Sequence, residues 1–157
     1  MRDSLGGAVN IIIIVVFIVI ALGYMAFNVN YTKAFRMKNK IISEYEKANG
    51  KCESGSSCYN AIIDYAHEIG YEPNRNSFKC PNNFRSDNHH LYCYNDYDVS
   101  RREAPNESIN DRADGKYYRI VTKINIEIPI IDNILDLNIF KVSGDTKTLY
   151  DDAIKKK

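Results

Sequence analysis

The feature that most constrains this chain is a run of almost wholly apolar residues from Ala8 to Phe27, close to the N-terminus. A helix of that length is about 30 Å long, which is the thickness of the hydrocarbon core of a membrane. The run is rich in β-branched residues, which favour strands in water. In lipid, however, a segment must satisfy its own backbone hydrogen bonds, so the helix is favoured there. The run therefore predicts a transmembrane helix, with Asn10 as its one early polar residue.

A cleavable secretory signal is the alternative interpretation of the same run. Its apolar region would be shorter and would be followed by small residues at a cleavage site. The apolar stretch here is longer, and the residues after it, Asn28-Val29-Asn30-Tyr31, do not resemble such a site. We therefore expect the run to remain in the protein as a membrane anchor.

The helical pattern continues beyond the apolar run. Spacings of three and four residues trace one helix face, with Lys38 as a gap in the series. The apolar members of this face are Tyr31, Ala34, Phe35, Ile41, Ile42, Tyr45 and Ala48. Asn49-Gly50 predicts the helix end. We expect one continuous helix over residues 8–49, about 60 Å long. A leader would occupy residues 1–7, the membrane span 8–30 and the amphipathic continuation 31–50.

Four cysteines, all after the apolar run, predict disulfide bonds. They are Cys52, Cys58, Cys80 and Cys93. No pair has the Cys-x2-Cys spacing of a zinc site, and the three histidines are not arranged in a metal-binding pattern, although metal binding and free thiols remain alternatives. Of the three possible pairings, we favour Cys52–Cys58, which would clamp the turn between two helices, with Cys80–Cys93, which would pin the central loop to a strand.

The charges and the cysteines give opposite indications of membrane orientation. Arg2 is the only basic residue before the span, whereas Lys33, Arg36, Lys38 and Lys40 follow it. By the positive-inside rule alone, the C-terminal part would be cytoplasmic. Disulfide bonds in a small domain are typical of an exported protein. We therefore expect the domain of residues 51–157 to be extracytoplasmic.

A second helix is predicted at about residues 57–69. Ser56-Ser57 is a helix-start signal, and Gly70 is a typical residue just after a helix end. The apolar residues between them recur at helical spacing, at Ala61, Ile62, Tyr65, Ala66 and Ile69. Residues 71–89 are predicted as a loop and residues 100–115 as a mobile, highly charged loop.

Alternating residues predict an antiparallel sheet of three or four strands. One strand is expected at residues 91–99. The clearest strand is 118–128, where even-numbered apolar residues share one face and odd-numbered polar residues largely share the other. A further strand begins at Leu135, a turn is expected at Ser143-Gly144-Asp145, and residues 146–150 return as a short strand. The expected fold class is α+β: a long N-terminal helix packed on a small antiparallel sheet, with a second short helix.

Several function classes have no support in the sequence. The net charge is +1, and no basic patch with interleaved aromatic residues indicates nucleic-acid binding. No phosphate loop, nucleophile elbow or zinc-protease motif occurs. His89-His90 and the stretch YNDYD around Asp96 and Asp98 are the nearest candidates for acid–base or Ca²⁺ chemistry, and an exposed polar loop explains them better. We expect no catalytic residue, no metal and no cofactor.

The plan of the chain resembles that of type IV pilins. A very short leader, Met1 to Gly6, ends in glycine directly before the apolar helix, as in leaders cut by prepilin peptidase. The stretch IPIIDNILDLNIFKVSGDTKTLY resembles the last strands of Tad-type (tight-adherence) minor pilins and TadE-like proteins. The resemblance implies processing at Gly6 or Gly7. Pilins usually carry Glu at the fifth mature position, where this chain has Ile11 or Ile12.

The resemblance implies a structural function. The chain would be a pilin-like subunit, a minor pilin or pseudopilin, of a bacterial surface filament or secretion pseudopilus. Its partners would be membrane lipid, other pilin subunits through the N-terminal helix and prepilin peptidase. The alternative is a single-pass, membrane-anchored extracytoplasmic binding module, in which the leader is retained and Gly6-Gly7 is a hinge before the anchor.

Overall fold

The structure is a computed structural model that describes residues 2–73, 79–99, 115–124 and 141–150, with the backbone alone for residues 2–6. These residues form an α+β fold, as the sequence predicts. In chain order the elements are α1 (Arg2–Lys47), α2 (Ser57–Ile69), β1 (Arg85–Ser86), β2 (Tyr92–Val99), β3 (Gly115–Lys123), β4 (Lys141–Asp145) and β5 (Leu149–Tyr150).

Helix α1 is continuous from Arg2 to Lys47. The predicted continuity between apolar run and amphipathic segment is therefore confirmed. The helix begins within the residues assigned to the leader, so no structural break separates that segment from the apolar run. It ends two residues earlier than predicted, in a turn where Asn49 and Gly50 both have positive φ.

The second half of α1 is the part that packs against the rest of the chain. Its buried stripe consists of Ala34, Met37, Ile41 and Tyr45, at spacings of three and four. The predicted stripe included Phe35, which is instead exposed and lies beneath the ammonium of Lys38 at 4.3 Å. The predicted stripe omitted Met37, which is fully buried. The helix is thus rotated slightly from the orientation that the sequence pattern indicated.

Helix α2 has the bounds that its end signals predict. The Ser56 hydroxyl accepts a hydrogen bond from the Tyr59 backbone N–H at 3.2 Å, which satisfies an N-terminal donor of the helix. Gly70, with φ of 61°, ends it, and the Tyr71 N–H donates back to the Ala66 carbonyl at 2.8 Å. Its apolar face packs on α1 in one core cluster.

The sheet is antiparallel in the order β1-β2-β3-β4, and β5 pairs with the same strand, β3, as β4 does. Strand β2 confirms the prediction at residues 91–99, except that it begins one residue later. Strand β3 begins three residues before the predicted Tyr118. Strand β3 ends at Lys123, so the described Ile124 lies beyond it. Residues 125–128 of that predicted strand, the start of the predicted strand from Leu135 and nearly all of the predicted loop 100–115 lie outside the described residues. Strand β1 falls within the segment predicted as a loop.

The predicted turn at Ser143-Gly144-Asp145 is wrong, because all three residues belong to β4. Gly144 lies directly under α1, where a Cβ atom would be 3.0 Å from side-chain carbons of Ile42 and Lys38. The glycine thus permits close helix–sheet approach instead of marking a turn.

The pairing with β3 is interrupted after β4, at residues 146–148. The register of β5 against β3 is shifted by one residue from that of β4. The backbone N–H of Thr146 donates to the Tyr118 carbonyl, and the Thr146 hydroxyl accepts from the Tyr118 N–H, both at 2.9 Å. The Lys147 N–H, freed from the ladder, donates to the Glu46 carboxylate of α1 at 2.8 Å. This β-bulge therefore ties the sheet edge to the end of α1.

The two faces of the sheet are covered differently. The inner face packs against α1 and α2 and contains Tyr92, Ile120 and Val142. On the outer face, Cys93 and Val121 form a small second cluster that is covered by Cys80 and Phe84. Pairs Cys52–Cys58 and Cys80–Cys93 are joined as disulfides in the structure, which is the pairing that the sequence favours.

Candidate functional site

The first half of α1 presents an extended, exposed apolar surface. From Gly7 to Leu22 every residue is exposed, and apart from its chain neighbours and the adjacent helix backbone nothing lies within 4 Å of where a Cβ of Gly7 would be. Among the described residues, α1 is the helix long and apolar enough to cross a membrane, with a mean hydropathy of 2.8 in its span window. The exposed large apolar side chains are Val9, Ile11, Ile12, Ile13, Ile14, Val15, Val16, Phe17, Ile18, Val19, Ile20, Leu22, Tyr24, Met25 and Val29. A surface of this kind requires an apolar environment from outside the chain.

The residues predicted for processing lie at the start of this surface. Both Gly6 and Gly7 belong to the first turns of α1 and are followed by the apolar run without interruption. The structure does not bring them near the other candidate residues, since the cysteines all lie beyond the opposite end of α1.

A cleft of about 470 Å³ lies at the other end of α1. It is formed by the end of the helix, the following turn at residues 50–54, the hairpin of β1 and β2, and β3. Five tyrosines line it: Tyr45, Tyr59, Tyr92, Tyr94 and Tyr118. The Tyr45 ring is central, with ring centroids 6.2 Å from Tyr92 in an edge-on arrangement and 5.3 Å from Tyr118.

Burial favours the neutral form of three hydroxyl groups of this cluster. Burial raises the pKa of Tyr59 to about 12 and raises the pKa values of Tyr45 and Tyr92 further. The Tyr45 and Tyr92 hydroxyls lie 3.2 Å apart and share a hydrogen bond. At neutral pH these three side chains therefore carry phenol hydroxyls, not phenolates.

Asp87 anchors the hairpin beside the cleft. Its carboxylate accepts hydrogen bonds from the backbone N–H groups of Leu91, Tyr92 and His89 and from the hydroxyl of Tyr59. The side chain is buried and has its acceptor positions occupied by the chain itself. Its role in this geometry is to hold the hairpin tip in place.

The histidines singled out by the sequence are engaged in the same hairpin. The Nδ1 atom of His89 is 2.7 Å from the Tyr59 hydroxyl, and that of His90 is 3.0 Å from the Ser86 hydroxyl. Asp87 lies with them, but within the described parts of the chain no three His, Cys, Asp or Glu side chains are placed to hold a metal ion.

The rim of the cleft is charged. Arg85 pairs with Asp96 and lies over the Tyr94 ring at 5.4 Å. Lys116 is 3.8 Å from Asp96 and 3.3 Å from Asp98, and its hydrogen bond to Asp98 raises the pKa of its ammonium group. The YNDYD stretch, interpreted from the sequence as an exposed polar loop, lies instead within strand β2. Its carboxylates face cations of the protein itself.

One wall of the cleft depends on a glycine. Gly50 has φ of 77°, and a Cβ there would lie 2.5 Å from the Tyr118 ring. The turn after α1 therefore packs directly on this ring.

The tyrosine-lined cleft is not predicted by the sequence. Tyr92, Tyr94 and Tyr118 alternate along β2 and β3 and so share the inner face with Tyr45 of α1. The alternation was visible in the sequence, but which helix residue meets it depends on the packing of α1 across the sheet.

Comparisons of the chain with protein-family models, with curated proteins and with solved structures found no match.

Proposed function

We propose that the chain is a pilin-like structural subunit, a minor pilin or pseudopilin, of a bacterial surface filament or secretion pseudopilus. Before assembly, residues 8–30 anchor it in the membrane and the C-terminal domain is extracytoplasmic. The observation that carries the proposal is the unbroken α1, Arg2–Lys47, whose first half is exposed and apolar while its second half packs on the chain's own sheet.

This geometry suits withdrawal from a bilayer. Because the apolar segment and the domain belong to one helix, a force on the domain acts along the axis of the anchor. In a filament the apolar halves of neighbouring subunits replace lipid tails around each helix. Ile11 or Ile12 stands where most pilins carry Glu, so the pairing of that carboxylate with a neighbour's amine is missing. Within this proposal the chain is therefore an atypical minor subunit, whereas a leader that is never cut belongs to the second candidate below.

The test is the mature N-terminus, measured by mass spectrometry on protein from cells with and without prepilin peptidase. A chain that begins at Gly7 or Ala8 only when the peptidase is present supports the proposal. A chain that retains Met1 through Gly6 in both cells contradicts it. Gly6→Leu and Ser4→Leu form a matched pair: we expect the first to block processing after Gly6 and the second to leave it unchanged.

Membrane orientation requires its own experiment. If the domain is extracytoplasmic, all four cysteines resist alkylation in intact cells until a reductant is added. Rapid alkylation of Cys93 without reductant, after permeabilisation of the inner membrane alone, would place the domain in the cytoplasm.

A membrane-anchored binding module is the second candidate, and the tyrosine-lined cleft favours it. The half-buried rings of Tyr94 and Tyr118 and the charged rim can provide stacking and hydrogen-bond contacts to a polar ligand. This candidate predicts that the leader is retained and that function survives when filament assembly is prevented. Tyr94→Ala would then remove function without altering the N-terminus.

A further inference from the structure

A second cleft, of about 480 Å³, lies where α1 emerges from its apolar half, beside the C-terminal end of α2. It is lined by Asn28, Val29, Thr32, Lys33, Arg36, Glu68 and Ile69. The α1 members are spaced by three and four residues and therefore lie on one face of the helix. We call this cleft the juxtamembrane groove.

The two cations of the juxtamembrane groove, Lys33 and Arg36, differ in their contacts with the rest of the chain. The Lys33 ammonium donates to the Gly70 carbonyl at 3.1 Å, which ties α1 to the end of α2 and fixes the charge in place. Arg36, one turn further on, is exposed and has no hydrogen-bond or ion-pair partner within the described residues. Glu68 is the one acidic lining residue, so the groove has a net charge of +1.

An exposed apolar track leads into the groove. Val29, Met25, Leu22 and Ile18 follow one another at spacings of three and four, so they continue the same helix face towards the N-terminus. From Ile18 to Val29 this track is about 16 Å long, close to the thickness of one hydrocarbon leaflet. The combined surface thus has an apolar track that ends at two cations.

We propose that the juxtamembrane groove binds an anionic phospholipid, with its phosphate at Lys33 and Arg36 and an acyl chain along the track. The proposal rests on the membrane insertion of α1 in the proposed function, but not on filament assembly or on which side of the membrane the domain lies. It gives Lys33 and Arg36, two of the four basic residues after the span, a role that does not depend on the positive-inside rule.

A second copy of the chain would be a poorer occupant. Between residues 4 and 43 the sequence contains no Asp or Glu, so the neighbouring stretch of another α1 offers no carboxylate to Lys33 or Arg36. An anionic headgroup provides that charge at the depth where the groove lies.

The test uses the full chain in nanodiscs that contain equal amounts of phosphatidylcholine and phosphatidylglycerol, followed by native mass spectrometry of the released protein. We expect wild type to retain phosphatidylglycerol preferentially and Arg36→Gln to reduce that preference about fivefold. Lys40→Gln is the matched control. Lys40 is already paired with Glu44 at 3.0 Å, so we expect this substitution to leave the lipid preference unchanged. Arg36 is exposed, so its substitution should leave the thermal unfolding midpoint unchanged.

Equal retention of the two lipids by wild type, or equal losses in Arg36→Gln and Lys40→Gln, would overturn lipid binding. A loss of self-association in Arg36→Gln with unchanged lipid preference would assign the groove to a second copy and overturn it as well. If the chain does not enter nanodiscs at all, the membrane anchor of the proposed function fails. Entry without lipid preference contradicts the groove proposal alone.

Discussion

The two halves of α1 belong to one helix, yet they relate to the rest of the protein in opposite ways. The more apolar half is exposed, whereas the half that carries Lys33, Arg36 and Lys40 contains the buried stripe. Hydropathy alone therefore does not decide what is buried in this molecule. The second half packs against the chain's own domain, and the first half is a candidate membrane span that stays exposed.

The largest expected effect comes from placing charge in the first half. Ile18→Asp combined with Leu22→Asp puts two carboxylates near the middle of the span, at a cost of about 5 to 7 kcal/mol for membrane insertion. We expect the protein to become extractable from membranes at alkaline pH. The isosteric pair Ile18→Leu with Leu22→Ile should remain in the membrane fraction. Retention of the doubly charged variant would show that this half is not in lipid.

The next largest effect compares an equivalent truncation in each half. Ile41 is 0% exposed, so Ile41→Ala should lower the free energy of unfolding by about 2–5 kcal/mol. Ile20 is 64% exposed, so Ile20→Ala should leave that free energy unchanged. Urea unfolding in detergent, followed by tyrosine fluorescence, measures both. Equal losses would contradict the division of the helix.

Removing the disulfides tests how much they stabilise the domain against which the second half of α1 packs. Replacement of both Cys80 and Cys93 by Ala should lower the free energy of unfolding by about 3 kcal/mol, and replacement of Cys52 and Cys58 by about 2 kcal/mol, because the first pair closes the longer loop. Neither change should affect membrane insertion, since the first half makes its contacts outside the domain. Loss of insertion in either variant would couple the two halves.

A smaller effect is expected from a single hydroxyl between α1 and the sheet. The Thr122 hydroxyl is buried, 3.0 Å from the Ala34 carbonyl and 3.3 Å from the Val142 carbonyl. Thr122→Val should lower the free energy of unfolding by about 1 kcal/mol. Thr32→Val, which removes an exposed hydrogen bond to Asn28 near the span, is the matched control and should change it little. The same urea titration decides between them.

The smallest effect is a pH dependence from the second half. Hydrogen bonds from Lys47 and Lys40 lower the pKa of Glu44 below its ordinary value. Its stabilising contribution is therefore present above the unfolded-state pKa and is lost as the pH falls through the lower folded-state pKa. Between pH 6 and pH 3 wild type should lose up to about 0.5 kcal/mol more than Glu44→Gln. Identical pH profiles of stability for wild type and Glu44→Gln would show that the ion pairs of Glu44 with Lys40 and Lys47 do not stabilise the fold.

Local pattern predicted much of this fold. The continuity of α1, the bounds of α2 and the extent of β2 all follow from spacing and end signals, such as Ser56 and Gly70. The wrong predictions concern residues whose environment is set by residues distant in the sequence. Gly144 has the sequence context of a turn but accommodates Ile42 of α1. Phe35 has the spacing of a buried residue but is exposed, because α1 is rotated so that Met37 is buried instead.

The sequence by itself determined that one long helix would have an apolar and an amphipathic half, because both properties depend on residues close together in the chain. Tertiary packing decided the rotation of that helix, the meeting of Tyr45 with Tyr92 and Tyr118, and the placing of Lys33 against Gly70. These contacts join residues far apart in the chain, and only the docking of α1 and α2 on the sheet selects them among many similar side chains.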